Sequence, residues 1–331
     1  MQRNELYGER IMKTRTAPAL AGGLLAIFLA ASAFAAPAPK AGVSLRDGVV
    51  IDTARSVAYV MHPQGGIQAL DLQRGTALWH SAAGERPLAL AGNLLVAQAR
   101  PGDNGELRIV ALGVRGGLLS SRADIQMPEG VRAEVAETLQ QSFHVTAMPS
   151  QGGVLIAWET EEFSGLPTRR EQQFGQVLEA SAESRQGSPR GTALFDPQAG
   201  SLSAAKAGQI ARPAVAMSLS APGAAESRYT SADGRYVLAS RLVDDAAALP
   251  YQWTISDAKG NVLGTLRAEA SMAPFAVAGT RLIHVAQPSS RLEGEKMVDR
   301  PLRIRAVELT TGREVWRREI LDMAWRGPVP N

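Results

Sequence analysis

Apolar and polar residues alternate with a period of two along most of this chain, in short runs broken by turn residues. That period marks strands whose side chains point to opposite faces. Residues 67–79 show it best. Ile67 and Ala69 fall on one face of an extended segment, Gln68, Leu70 and Leu72 on the other. Asp71 and Gly75 then bracket a tight turn, Asp bonding its own backbone and Gly supplying positive φ. A second strand follows and ends on Trp79. The same arrangement returns at residues 304–316, where Ala306 matches Ala69, Glu308 matches Asp71, Gly312 matches Gly75 and Trp316 matches Trp79. A supersecondary unit used repeatedly is the reading that follows.

Five such units can be laid out. The first predicts strands at 48–52, 57–61, 67–72 and 76–81, and the second at 88–91, 94–99, 107–112 and 117–122. The second unit's turn ends on Gly116, and Ser120 stands where Trp would be. The third predicts 142–147, 153–160, 190–196 and 201–205, with an insertion at about 161–191 in which 168–184 reads as a short helix. The fourth predicts 228–231, 235–242, 251–256 and 261–267. The fifth predicts 273–278, 281–287, 302–309 and 313–320. The turn glycines Gly75, Gly116, Gly200, Gly260 and Gly312 step by 41, 84, 60 and 52 residues, against roughly 40–50 for four-stranded propeller blades. The predicted fold class is all-β: a β-propeller of four-stranded antiparallel blades, five of them, with six as the alternative. A two-sheet sandwich also shows short strands and frequent turns, but the repeated turn-plus-Trp unit speaks against it.

The spacing Ala-x-Asp-x-x-x-Gly-x-x-x-Trp resembles the tryptophan-docking repeat of the PQQ-like (quinoprotein-like) β-propeller superfamily. Ala69, Asp71, Gly75 and Trp79 match it fully, and Ala306, Gly312 and Trp316 match with Glu308 in place of Asp. Asp196 with Gly200, and Asp257 with Gly260, match in part. The resemblance implies a structural role for Trp79 and Trp316, each docking on a neighbouring blade. Catalysis does not carry over with it. Quinoprotein dehydrogenases are much longer and often hold a vicinal Cys-Cys ring near the cofactor, whereas this chain has no cysteine. The propeller lipoprotein of outer-membrane β-barrel assembly shares the repeat type, but it carries the lipidated cysteine missing here.

Residues 1–35 read as an export signal. Lys13 and Arg15 precede an apolar core at 24–29, and Ala33-Phe34-Ala35 gives the small-x-small pattern cut between Ala35 and Ala36. Met12 is an alternative start. The apolar part is short of the ~20 residues a membrane span needs. A linker at 36–42, a single propeller domain at 43–322 and a tail at 323–331 holding Trp325 complete the layout. Cleavage removes four of 35 basic and two of 32 acidic residues. The remaining charge of +1 gives no reason to expect a nucleic-acid partner. Without cysteine an exported chain has no disulfides and depends on its core. The expected address is periplasmic or secreted, with no membrane insertion after cleavage, as a monomer engaging another envelope protein.

Candidate chemistry is sparse. His62, His80, His144 and His284 show no close metal-pair spacing. Gly187-Ser188-Pro189-Arg190-Gly191 lacks the nucleophile-elbow spacing. Asp103-Asn104-Gly105-Glu106 lacks calcium-loop spacing and reads as a hairpin turn. Glu159 with Glu161, and Asp244 with Asp245, are the carboxylate pairs a glycoside hydrolase would need, and they read more simply as edge charges. No catalytic, cofactor-binding or metal residues are assigned, and no cofactor is expected. The expected function is a non-enzymatic binding or scaffold propeller. The alternative is an exported enzyme, either a diverged quinoprotein dehydrogenase or a five-bladed glycosidase.

Overall fold

Strands pair antiparallel, nearly all with their chain neighbours, and build five blade sheets in sequence order and one two-stranded hairpin. The computed structural model describes residues 42–128, 143–160, 190–205, 226–231, 233–244, 249–293 and 296–322, all within the unit Pro39–Asn331. Ala35 and Ala36, the predicted helix, Glu161, Asp245 and Trp325 lie outside the described residues.

Blade 1 comprises β1 (Val43–Arg46), β2 (Val49–Asp52), β3 (Val57–Met61), β4 (Ile67–Asp71) and β5 (Ala77–Ser81). Blade 2 holds β6 (Arg86–Ala91), β7 (Leu94–Gln98), β8 (Leu107–Gly113) and β9 (Leu119–Ile125). Blade 3 holds β10 (Phe143–Ser150), β11 (Gly153–Thr160), β12 (Arg190–Asp196) and β13 (Ser201–Ala204). Blade 4 holds β14 (Ser227–Thr230), β15 (Tyr236–Leu242), β16 (Tyr251–Asp257) and β17 (Val262–Ala268). Blade 5 runs β18 (Phe275–Ala278), β19 (Arg281–Ala286), β22 (Arg303–Glu308) and β23 (Glu314–Glu319), with a separate hairpin, β20 (Ser289–Glu293) and β21 (Lys296–Arg300), between its second and third strands. The chain is a β-propeller.

Burial falls from the inner strands to the outer ones. β2, β3 and β18 are buried along their whole length, because both faces of each blade are covered. That is why these strands read as unbroken apolar runs. The outer strands β5 and β23 are largely exposed. Two features depart from the sequence expectation. β1 makes blade 1 five-stranded, lies on its inner edge, and touches β6 of blade 2 and β18 and β19 of blade 5. The β20–β21 hairpin lies between the predicted strands 281–287 and 302–309, where no strand was expected.

The blades adhere through apolar seams. Tyr59, Ile67 and Ala69 meet Leu90, Leu95 and Leu112 between blades 1 and 2. Ile109 and Val96 meet Val154, Ile156 and Phe195 between blades 2 and 3. Leu238, Trp253 and Ile255 meet Phe275, Leu282 and Val307 between blades 4 and 5, and Ile304, Ala306 and Trp316 meet Leu70 and Leu72 between blades 5 and 1.

One register position recurs at these seams. Trp79 lies opposite Ala69, Ser121 opposite Ala111, Gly264 opposite Ile255 and Trp316 opposite Ala306. The Trp place in blade 2 is therefore Ser121, not Ser120, because the turn glycine is Gly117, four residues before Ser121 as Gly75 is before Trp79. Each residue at this position addresses the next blade's turn. The Trp79 indole N–H donates to the Val114 carbonyl at 2.9 Å, the Ser121 hydroxyl to the Pro197 carbonyl at 2.6 Å, and the Trp316 indole N–H to the Leu72 carbonyl at 2.9 Å. Gly264 has no side chain and packs directly on the Leu309 backbone.

The turn glycines complete the contact. Gly75 packs on Trp316, Gly117 on Trp79, Gly200 on Ser121 and Arg122, and Gly312 on Thr265 and Leu266, all with φ of 65–69°. Blade 2 thus turns on Gly117 rather than Gly116, since Gly117 is the one at positive φ. Gly260 of blade 4 differs. Among the described residues nothing lies within 4 Å of the place its Cβ would take.

Candidate functional site

The seam between blades 4 and 5 changes character along its length. At its centre it is apolar, but towards the face carrying the inter-blade connections it becomes cationic. β22 reads Arg-Ile-Arg-Ala-Val-Glu, so Arg303 and Arg305 share the blade-4 face with Val307. Across the sheet, Phe275, His284, Arg305 and Arg317 form one row.

A cavity of about 520 Å³ opens here. Arg303 and Arg305 of β22 and Arg317 and Glu319 of β23 form one wall. Val298, Asp299 and Arg300 of β21 with Pro301 form another, and Glu269 comes from the connection between β17 and β18. That connection is held by the Trp253 indole N–H, which donates to the Ala270 carbonyl at 2.9 Å. The hairpin is braced by the Ser290 hydroxyl, which donates to Asp299 Oδ1 at 2.6 Å.

Two carboxylates answer the arginines. Arg300 Nη1 donates to Glu269 Oε1 at 3.2 Å and Arg303 Nη2 to Oε2 at 3.4 Å, so Glu269 uses both oxygens on two guanidinium groups. Arg305 Nε donates to Glu314 at 2.5 Å, and Arg317 lies 3.7 Å from the same carboxylate. Arg303 is not fully satisfied: among the described residues its buried Nε has no hydrogen-bond partner. Burial is the main cause that lowers the Arg303 pKa. Arg305, Arg300 and Arg317 push it the same way, and Glu269 opposes them. Four arginines and three carboxylates, Glu269, Asp299 and Glu319, line the cavity.

His284 sits beneath this cluster. Its ring packs edge-on against Trp253, with centroids 5.4 Å apart, and among the described residues its Nδ1 has no partner. Burial, then Arg305 and Arg303, pushes the imidazole down to about 3. It is neutral at physiological pH.

Other residues singled out by sequence lie elsewhere. The repeat residues Ala69, Asp71, Gly75, Trp79, Ala306, Glu308, Gly312 and Trp316 sit at the docking seams. His62 and His80, distant in sequence, come together with ring centroids 5.1 Å apart, because β3 and β5 flank β4. Among the described residues no group of three or more His, Asp and Glu side chains could hold a metal. Glu159 lies in register with His144 and Arg190. Asn104 donates to Glu106 within the turn and lowers that carboxyl's pKa.

The arginine cluster was not singled out from sequence, although β22 carried a signal. Two arginines at period two sit on a strand whose other inner positions are apolar, with Arg300 just before them in sequence and Arg317 brought alongside by strand pairing.

Comparison with known proteins finds no matching family model and no matching curated relative. Solved propellers do match at low similarity. BamB from Moraxella catarrhalis is 14% identical over 82% of this chain, with a TM-score of 0.25, and the match covers 60% of the BamB chain. A europium-containing methanol dehydrogenase is 11% identical over 82% of this chain and 68% of its own, with a TM-score of 0.24. The β-propeller domain of Swd1 from Myceliophteria thermophila is 10% identical over 83% and 86%, with a TM-score of 0.26. None of these likenesses carries an activity over.

Proposed function

We propose that this chain is an exported, non-enzymatic binding or scaffold propeller of the cell envelope, released from its signal at Ala36 and engaging another envelope protein. The observation that carries this reading is how the blade 4–5 cavity is furnished. Of its three carboxylates, Glu269 is tied to two arginines and Asp299 to the Ser290 hydroxyl, with Glu319 beside them, and the imidazole beneath is buried and neutral. Such a site recognises an anion well. It offers poor general acid–base chemistry, which needs a group able to take and return a proton near the working pH.

N-terminal sequencing of the exported form tests the address, with Ala36 as the expected first residue. Reconstitution with PQQ and calcium tests the rest: the expected outcome is no saturable binding and no dye reduction. Saturable PQQ binding with dye reduction would replace the scaffold reading by the enzyme alternative.

A further inference from the structure

Resting on the reading of this chain as a binding propeller, we propose that the blade 4–5 cavity binds a carboxylate carried by an extended peptide, with Glu269 as its internal placeholder. Three observations meet here. First, Glu269 already shows the mode of binding, one carboxylate bridging Arg300 and Arg303. Planar guanidinium groups suit carboxylates because their N–H donors match the two oxygens. Second, among the described residues Arg303 Nε is buried without a partner, so Arg303 holds more donor capacity than Glu269 uses. A buried unmet donor is costly, and an incoming oxygen relieves that cost.

Third, the cavity is much larger than a carboxylate, and a strand edge lines it. Its volume of about 520 Å³ falls within the roughly 300–1,000 Å³ of ligand sites. Among the described residues β21 pairs with β20 alone, and Val298, Asp299 and Arg300 of β21 line the cavity. An open edge offers backbone donors and acceptors to an extended chain, which is how peptides add to sheets. The peptide backbone runs beside β21 while its carboxylate takes the place of Glu269 on Arg303, and Glu269 swings to solvent.

The test uses the whole mature chain and fluorescence anisotropy. The probes are a labelled β-forming hexapeptide with a free C-terminal carboxylate, the same peptide amidated, and an amidated version with one internal Glu. The free acid is expected to bind at least about tenfold tighter than the plain amide, a difference of about 1.4 kcal/mol, since its charge-assisted bonds are lost with the amide. Recovery of affinity by the internal Glu would identify a side-chain carboxylate as the source; no recovery would identify the chain terminus. Glu269→Gln is expected to raise affinity severalfold by removing the competitor, and Arg303→Lys to lower it about tenfold. A merely structural ion pair would lose stability in Glu269→Gln with no gain in binding. If Arg303→Lys misfolds by circular dichroism, Arg317→Gln, altering a largely exposed side chain of the same cavity, serves instead.

Equal binding of acid and amide, or a Glu269→Gln affinity no better than wild type, overturns the proposal. So does competition by inorganic phosphate or acetate with no preference for the peptide. A negative result here leaves export and partner engagement to their own tests, because a scaffold can hold its partner elsewhere.

Discussion

The indole N–H of Trp316 donates to the carbonyl of Leu72, 244 residues earlier, and so joins the last blade to the first. Trp316 is buried in the blade 5–1 seam, and its ring lies on Gly75. Trp79 repeats the arrangement between blades 1 and 2, and tilts against Tyr59 at 5.7 Å.

Truncation of either indole should therefore cost much of the fold's margin. Trp316→Ala is expected to lose about 3–5 kcal/mol, as for other large core aromatics, and Trp79→Ala somewhat less because Trp79 is only partly buried. Trp316→Phe keeps most of the packing but strands the Leu72 carbonyl, a loss of about 1 kcal/mol. Urea melts of the three variants rank them directly. Equal midpoints for Trp316→Ala and wild type would remove the docking role.

Ser121→Ala probes the same joint in blade 2. The hydroxyl makes one bond to Pro197 and supplies no apolar bulk, so a loss of about 1 kcal/mol is expected.

Gly75→Ala and Gly260→Ala separate conformation from contact. Both glycines sit at positive φ, 69° and 87°, where an L side chain costs roughly 1–2 kcal/mol. At Gly75 the new methyl also collides with the Trp316 indole, whereas at Gly260 it meets nothing. Gly75→Ala should be clearly the more damaging in thermal melts; equal shifts would contradict the packing described.

Acid should weaken the fold through His284. The unfolded chain takes up a proton there near pH 6.5, while the folded imidazole is held down to about 3. The unfolded state thus binds more protons between these values, and stability falls as pH drops from 6.5 towards 3. Above pH 6.5 the contribution is complete. His284→Gln should reduce the slope of denaturant midpoint against pH over pH 7 to 4.5. An unchanged slope would place the acid sensitivity in other groups.

The blades were legible because their signals are local. Ile67 to Trp79 carries alternation, a turn and an anchoring ring within thirteen residues, and β3 and β11 occupy the spans 57–61 and 153–160 read from their patterns. β1 escaped because four residues after a Pro/Ala stretch give too short a pattern. The β20–β21 hairpin escaped because its charged sequence lacks alternation. The arginine cavity was hidden for a different reason. Arg300, Arg303 and Arg305 are near neighbours in sequence, but Arg317 and Glu269 reach them only through strand pairing and the packing of blade 4 on blade 5.

The bond from Trp316 to Leu72 also sets a clock for the chain. A donor 244 residues after its acceptor exists only when nearly the whole polypeptide has emerged. Until then blade 1 presents a bare seam of Leu70 and Leu72, and every growing sheet has an open edge. Contacts of such long range slow folding, because the loop must close before the contact rewards it. A chain threaded through a membrane from its N-terminus would meet this delay on the far side. There, holdase proteins that cover apolar seams would raise its yield more than its final stability.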